Sequence, residues 1–250
     1  MTNIKRNISF LCIAFLLVNL SLAQKMYQIH QDNVNPSKLM QYESTAKKFL
    51  EACKEHKVQT SWAAATTNDM KYLYITPMEN FAELDKSPFA DMSKAMGEDF
   101  GKMFEDFDKC YDSHSDYIIA LDETLTYMPD GISMTQEGQN YRKWFYMYYK
   151  PENGGKLREG MKAVKDLFTS KNSPEHYRVY SSAFGCPESF YLVAISYKDE
   201  IDAATKSKAN EKLLGTYEER WEVFSKVMNN IDRMEEYTGE MRPDLAYSPN

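Results

Sequence analysis

Polar and aromatic side chains alternate along two segments of the sequence, in a pattern typical of strands that line a ligand pocket. Gln28 and His30 alternate with apolar residues in the first segment, and Trp144, Tyr146 and Tyr148 do so in the second. Tyrosine and histidine are unusual fillers of a protein core because each brings a polar group that needs a partner. An aromatic cavity with a few polar atoms is what a flat organic ligand requires.

We assign these side chains to the space between two sheets, because Ile29 and Met147, on the opposite faces of the same strands, suit burial beneath helices. The assignment depends on register, since a slip of one residue exchanges the two faces of a strand. His30 is the histidine of the set and therefore the candidate for acid–base chemistry. The alternative interpretation is that the aromatic rings simply fill the core. The full set of ligand-binding candidates is Gln28, His30, Trp62, Tyr74, Trp144, Tyr146, Tyr148 and Tyr180.

The sequence carries no standard signature of a nucleotide or metal cofactor. The Gly155-Lys156 step lacks the first glycine and the final Ser or Thr of a phosphate-binding loop. Metal-binding residue types recur at every second position from 108 to 116, but a helix end falls among them and would spread their side chains. We therefore predict no metal and no cofactor, and we assign no catalytic residue. The residues of that segment are Asp108, Cys110, Asp112, His114 and Asp116.

The charge balance and the first residues indicate where the protein works. Lys+Arg 30 against Asp+Glu 37 gives a net charge of −7, which disfavours nucleic acid and anionic membranes as partners. Residues 1–23 show a basic start, an apolar run and small residues before Gln24, which is the order of a secretory signal peptide. We therefore predict an exported protein, periplasmic or extracellular, with no membrane attachment after cleavage. The cysteines that remain can form at most one disulfide and are Cys53, Cys110 and Cys186.

An internal repeat organises the chain. The segment 26–76 lies over 144–194 without a gap, and what repeats is the apolar pattern rather than the identity of the residues. Each copy predicts the order strand, helix, strand, strand, helix, strand. The first helix begins at Asn35-Pro36, an N-cap followed by proline. We expect a first unit at 24–128, a link at 129–141 and a second unit at 142–250.

Such a unit has the ferredoxin-like arrangement, an antiparallel sheet with helices on one face. The other face of the sheet needs cover, and two tandem units supply it by packing sheet against sheet. The sequence therefore predicts an α+β fold made of two tandem ferredoxin-like (βαββαβ) units packed sheet-to-sheet. One chain contributes both sheets, so that a monomer is complete and a homodimer is optional.

The tandem units resemble the dimeric α+β barrel superfamily, and most closely its NIPSNAP-like and antibiotic-biosynthesis-monooxygenase-like members. The features that carry the resemblance are the segment 26–30, the Asn35-Pro36 helix start, the segment 72–75 and their counterparts in the second copy. The resemblance implies a fused barrel within one subunit. It also implies, for an enzyme, an oxygenase without a cofactor whose aromatic substrate supplies the electrons. Haem binding by His30 or His114 is a further possibility that the resemblance leaves open.

Three functions remain open at this point. The first, which we favour because no acid–base pair can be assembled from the sequence, is an exported protein that binds a small, flat or aromatic molecule between its two sheets. The second is a cofactor-independent monooxygenase-like or haem-handling enzyme. The third is a structural or interaction module with a filled core. An open cavity would separate the first two functions from the third.

Overall fold

The computed structural model of the protein describes residues 25–134 and 136–249. The predicted signal peptide at 1–23 and the predicted cleavage point before Gln24 lie outside these residues. Within the described ranges, the helices are too short or too polar to cross a membrane.

Both halves of the chain follow the predicted order, with the second helix of each half divided into two pieces. The first half consists of β1 (Met26–Val34), α1 (Leu39–Glu55), β2 (Ala63–Thr67), β3 (Lys71–Met78), α2 (Ala90–Met96), α3 (Glu98–Asp108) and β4 (Tyr111–Leu121). The second half consists of β5 (Tyr141–Tyr148), α4 (Gly154–Ser170), β6 (Tyr177–Ser182), β7 (Phe190–Tyr197), α5 (Glu200–Leu214), α6 (Tyr217–Met228) and β8 (Arg233–Met241). The break between α2 and α3 falls at Gly97, whose φ of 58° suits a residue without a side chain.

The eight strands form one closed antiparallel barrel. Their order around the barrel is β1-β3-β2-β8-β5-β7-β6-β4, and β4 pairs with β1 to close it. The two halves meet edge to edge, where β2 pairs with β8 and β4 pairs with β6. One chain therefore forms the complete barrel, and the prediction of two ferredoxin-like units fused into one α+β barrel is confirmed.

The sequence around Asn35 explains where α1 begins. The Asn35 side chain accepts a hydrogen bond from the backbone N–H of Ser37 at 3.0 Å, in a single 3-10 turn, Pro36–Lys38, that precedes the helix. Proline suits the first position of this turn because no N–H donor is needed there. The side chains that α1 buries toward the sheet recur mainly at steps of three and four, and they are Tyr42, Thr45, Ala46, Leu50 and Cys53.

The two halves exchange their last segments. Leu125 and Tyr127, which follow β4, pack into the apolar layer between the sheet and the helices of the second half. Leu245 and Tyr247, which follow β8, pack into the corresponding layer of the first half. Each helix layer is therefore completed by chain from the other half, which ties the two units to one another.

The apolar side chains form three clusters, one inside the barrel and one between the sheet and the helices of each half. Trp144, Tyr146 and Tyr148 lie in or against the cluster inside the barrel, on the face that the sequence predicts. Tyr180 joins them there. Met147 lies beneath the helices of the second half, also as predicted.

The predicted faces of β1 are wrong. Ile29 lies inside the barrel and not beneath the helices. Gln28 and His30 lie on the helix side, where they line a cavity together with Trp62 and Tyr74. These four residues therefore do not lie between the two sheets.

A shift of one residue between the halves explains this error. The gapless superposition of the repeats places Ile29 on Met147. In the barrel, Ile29 of β1 lies opposite Ile75 of β3, and Tyr146 of β5 lies opposite Leu192 of β7 at the equivalent place in the second half. Ile29 therefore corresponds to Tyr146 and not to Met147. Because successive residues of a strand point to opposite faces, a shift of one residue exchanges the two faces of β1.

Two buried arginines hold the link between the halves across one end of the barrel. Arg178 donates hydrogen bonds to the carbonyl oxygens of Ser133 and Met134 at 2.8 and 2.5 Å. Arg142 donates to the same Met134 carbonyl at 3.3 Å. The two arginines are only 4% and 1% exposed, so these carbonyls satisfy groups that would be costly to bury alone. Ser133 and Met134 of the predicted link are therefore fixed to the barrel.

Arg178→Met should make the segment before β5, around Ser133 and Met134, an early site of proteolysis. The substitution keeps much of the side-chain volume but removes hydrogen bonds from a charged donor, each worth about 1.5–3 kcal/mol. We expect the link to open locally and thermolysin to cleave it at least about tenfold faster. Mass spectrometry of the fragments over time measures the rate. Arg233→Met, at an exposed position of β8, is the control, and equal cleavage rates in the two variants would contradict the role of Arg178.

Candidate functional site

A cavity of about 690 Å³ lies between the sheet and the helices of the first half. Aromatic rings form its outer wall. The ring of Phe49 on α1 lies 6.2, 5.3 and 5.7 Å from the rings of Trp62, Phe89 and Phe104, measured between centroids. Leu245, from the exchanged segment of the second half, completes the lining. The volume is in the range of sites that hold small organic molecules.

The floor of the cavity is the helix side of three neighbouring strands, β3, β1 and β4. His30 of β1 lies opposite Tyr74 of β3 and opposite Asp116 of β4. Asp32 of β1 lies opposite His114 of β4. Because alternate residues of a strand share a face, this register gathers polar side chains from three strands on one surface.

His30 lies between two carboxylates at this floor. Its Nδ1 is 3.0 Å from Oδ1 of Asp116, and its Nε2 is 3.2 Å from Oδ1 of Asp32. The ring of His114 stands edge-on to the ring of His30, with a centroid distance of 5.7 Å. Burial would lower the pKa of His30, but the hydrogen bond with Asp116 and the nearby Asp32 carboxylate raise it to about 10. The hydrogen bond with His30 in turn lowers the pKa of Asp116.

Asp32 is the buried member of the floor, with a side chain that is 4% exposed. The hydroxyl of Tyr42 donates a hydrogen bond to Oδ2 of Asp32 at 2.5 Å and lies 3.0 Å from the hydroxyl of Tyr74. Since the proton of Tyr42 is directed to Asp32, Tyr74 donates to Tyr42. Burial raises the pKa of both tyrosines, so both remain protonated donors. The other carboxylate oxygen of Asp32, Oδ1, is buried, and its contact with Nε2 of His30 at 3.2 Å does not have the geometry of a hydrogen bond.

The structure divides the eight predicted site residues into two groups of four. Gln28, His30, Trp62 and Tyr74 line the helix-side cavity. The other four lie inside the barrel, where they line smaller spaces of about 230 and 50 Å³. The sheet separates the two groups, so they cannot contact one small ligand together. The members of the second group are Trp144, Tyr146, Tyr148 and Tyr180.

Sequence analysis missed Asp32 and Tyr42 at this site and gave too little weight to His114 and Asp116. The signal that could have found them is the pairing of the first and last strands of a ferredoxin-like unit. His30 and Asp32 are two residues apart, as are His114 and Asp116, so each pair occupies one face of its strand. Antiparallel pairing of those strands brings the two pairs together.

The rest of the segment 108–116 does not join the floor. Cys110 is fully buried in the apolar layer of the first half, and its thiol donates to the backbone carbonyl of Asp106 at 3.1 Å. Asp108 accepts a hydrogen bond from the hydroxyl of Tyr111. The expectation that a helix end spreads these side chains therefore holds for Cys110, whereas Asp108 lines the cavity away from its floor, and His114 and Asp116 share one face of β4.

Comparison with known proteins shows the fold. No protein-family model and no curated protein matches the chain. Among solved structures, an anthrone oxidase-like protein is 12% identical, and the match covers 91% of this chain and 94% of that one with a TM-score of 0.60. The fold is that of the dimeric α+β barrel superfamily.

Two further solved structures match over a similar length. A candidate monooxygenase from Lactobacillus acidophilus NCFM is 11% identical, with 91% of this chain and 97% of that chain covered and a TM-score of 0.52. A chlorite dismutase variant from Candidatus Nitrospira defluvii is 8% identical, with 88% and 92% covered and a TM-score of 0.51. At these identities the likeness concerns the course of the backbone, and the activity has to be argued from the site.

The resemblance leaves haem binding open, but the cavity does not fit a haem. Haem carries two anionic propionates, which the carboxylates that dominate the charged lining here would repel. Among the described lining residues, Lys86 is the single lysine or arginine, and it is paired with Glu83 at 2.9 Å. We therefore exclude haem from the proposed function. The lining carboxylates are Asp32, Glu83, Asp108 and Asp116.

Proposed function

We propose that the protein binds a flat, neutral aromatic molecule between the sheet and the helices of its first half. The observation that carries the proposal is the combination of an aromatic wall and a polar floor in one cavity of about 690 Å³. An apolar lining with a few convergent polar groups is typical of small-molecule sites. This site replaces the predicted position between the two sheets.

The wall would hold the rings of the ligand. The indole N–H of Trp62 already donates to the carbonyl oxygen of Leu245 at 2.9 Å, so Trp62 presents an apolar surface to the cavity. Phe49 and Phe89 flank it. Aromatic rings pack edge-to-face or offset against one another, and each such pair contributes about 0.5–1.5 kcal/mol beyond the burial of area. The wall therefore favours a ligand with fused rings.

The floor would select the polar group of the ligand. Asp32 and Asp116 disfavour an anionic group through electrostatic repulsion. Gln28 lines the cavity beside them, and its amide can both donate and accept a hydrogen bond. These groups suit a hydroxyl or a carbonyl oxygen rather than a carboxylate or a sulfate.

A second candidate function is oxidation of the bound molecule by O₂. The observation that favours it is the floor itself, where a histidine and two carboxylates lie beside the place of the ligand's polar group and could exchange a proton with it. The resemblance to monooxygenases that need no cofactor, and the anthrone oxidase-like neighbour, support this candidate. The aromatic ligand would then be the electron donor.

Anthrone, a flat ketone with three fused rings, is the probe for both candidates. Anaerobic calorimetry should show one site per chain with a dissociation constant of about 1–100 μM. If neither anthrone nor 2-naphthol binds, and native mass spectrometry of freshly purified protein shows no retained small molecule, the binding function is contradicted. In air, O₂ uptake above that of anthrone alone would support oxidation. Binding without such uptake would leave binding as the function.

We also propose that binding takes place outside the cytoplasm. The support for this is the signal-peptide pattern of residues 1–23 in the sequence.

A further inference from the structure

Three potential metal ligands converge at the floor of the cavity. A ring nitrogen of His30, a carboxylate oxygen of Asp32 and a ring nitrogen of His114 lie within 4.8 Å of one another. His30 and Asp32 share one face of β1, and His114 lies opposite Asp32 on β4. The three ligands therefore come from the rigid part of the sheet rather than from a loop.

Neighbouring side chains orient His30 and Asp32 in the way that is typical of metal ligands. Asp116 lies 3.0 Å from Nδ1 of His30, which leaves Nε2 directed at Asp32 and His114. Metal-binding histidines usually donate their second ring N–H to a carboxylate in this way. Tyr42 donates to Oδ2 of Asp32 at 2.5 Å. That hydrogen bond fixes the carboxylate with its other oxygen facing the two histidines.

Oδ1 of Asp32 is the observation that points to a ligand. It is buried, on a side chain that is 4% exposed, and its neighbour Nε2 of His30, at 3.2 Å, does not have the geometry of a hydrogen bond to it. A buried carboxylate oxygen without a hydrogen bond is costly unless a cation binds it. Asp32 and Asp116 also bring two negative charges to either side of His30. A divalent cation bound here would be balanced by these two charges.

We propose that His30, Asp32 and His114 bind a divalent first-row transition-metal ion. Two imidazole nitrogens and one carboxylate suit zinc, iron or cobalt better than calcium or magnesium, which prefer oxygen ligands. Ligand atoms that each lie about 2.0–2.2 Å from a tetrahedral metal are about 3.3–3.6 Å apart. The exposed His114 would need only a small rotation to meet this spacing. The remaining coordination positions would face the cavity.

Metal binding goes beyond the proposed binding of an aromatic molecule, and it is tested without any organic ligand. Failure to bind metal and failure to bind anthrone are therefore separate results. Co²⁺ is the probe, because its d–d absorption reports on nitrogen and oxygen ligands. We expect one equivalent to bind per chain and Zn²⁺ to displace it. His114→Ala should weaken Co²⁺ binding at least about 100-fold, and Asp116→Asn should weaken it by about 10–100-fold by releasing the orientation of His30.

His176→Ala, which removes a histidine of the second half, is the matched control and should bind Co²⁺ as the unchanged protein does. Because His114 is exposed, its replacement should leave the thermal unfolding of the metal-free protein unchanged, so that lost binding is not lost folding. The absence of a Co²⁺ band at millimolar metal, or equal binding by the His114→Ala and unchanged proteins, would overturn the proposal.

Discussion

Replacing Thr76 by tryptophan should remove anthrone binding while the barrel stays folded. Thr76 lies on β3 opposite Gln28, on the helix side, and lines the cavity. An indole at this position would occupy the space between the floor and the aromatic wall. Because that space is open in the protein, the larger side chain should cause little strain. We expect the dissociation constant for anthrone to rise at least about tenfold, a loss of about 1.4 kcal/mol or more.

The control for this prediction is Tyr148→Phe, on the other side of the sheet. Tyr148 lines the smaller space inside the barrel, so loss of its hydroxyl should leave the affinity for anthrone unchanged. Calorimetry on both variants under anaerobic conditions makes the comparison. If Tyr148→Phe weakens binding and Thr76→Trp does not, the ligand lies inside the barrel and the proposed site is wrong.

Replacing Gly239 by alanine should strongly destabilise the barrel. Gly239 of β8 lies opposite Thr67 of β2 at one of the two junctions between the halves. A Cβ atom at this position would lie 1.9 Å from the backbone oxygen of Thr66. No side-chain rotation can relieve a contact with backbone, so the junction itself must open. We expect a loss of at least about 3 kcal/mol in the free energy of unfolding, at or above the upper end for overpacking.

Gly155→Ala is the matched control for this substitution. Gly155 lies in the first turn of α4, and a Cβ atom there would have nothing within 4 Å. The free energy of unfolding should change by no more than about 0.5 kcal/mol. Urea unfolding of both variants measures the difference. Similar stabilities for the two variants would show that the β2–β8 junction does not hold the barrel closed.

The repeat in the sequence was enough to predict the fold, because it fixes the order of elements and leaves two sheet faces that need cover. The faces of β5 could be predicted as well, since Met147 interrupts a run of aromatic residues. The faces of β1 could not. Polar residues such as Gln28 and His30 are costly beneath helices without partners, and the partners of His30, which come from β4 and from within β1, are not evident in the sequence.

The polar floor could not be predicted because its residues are distant from one another in the sequence. Asp32 has no apparent role when it is considered by itself, and its partner Tyr42 occupies a position of α1 that fits an apolar pattern. Only the register of β1 against β4 shows that His114 faces Asp32. Pairing of strands that are about eighty residues apart is a tertiary feature, and local patterns carry little information on it.

A crystal structure of the protein grown with anthrone under anaerobic conditions would locate the ligand. We expect density for the three rings between α1 and the helix side of β1 and β3, in contact with Trp62 and with the polar oxygen directed at Gln28 or His30. Density for anthrone inside the barrel, beside Tyr146 and Tyr180, would contradict the proposed site.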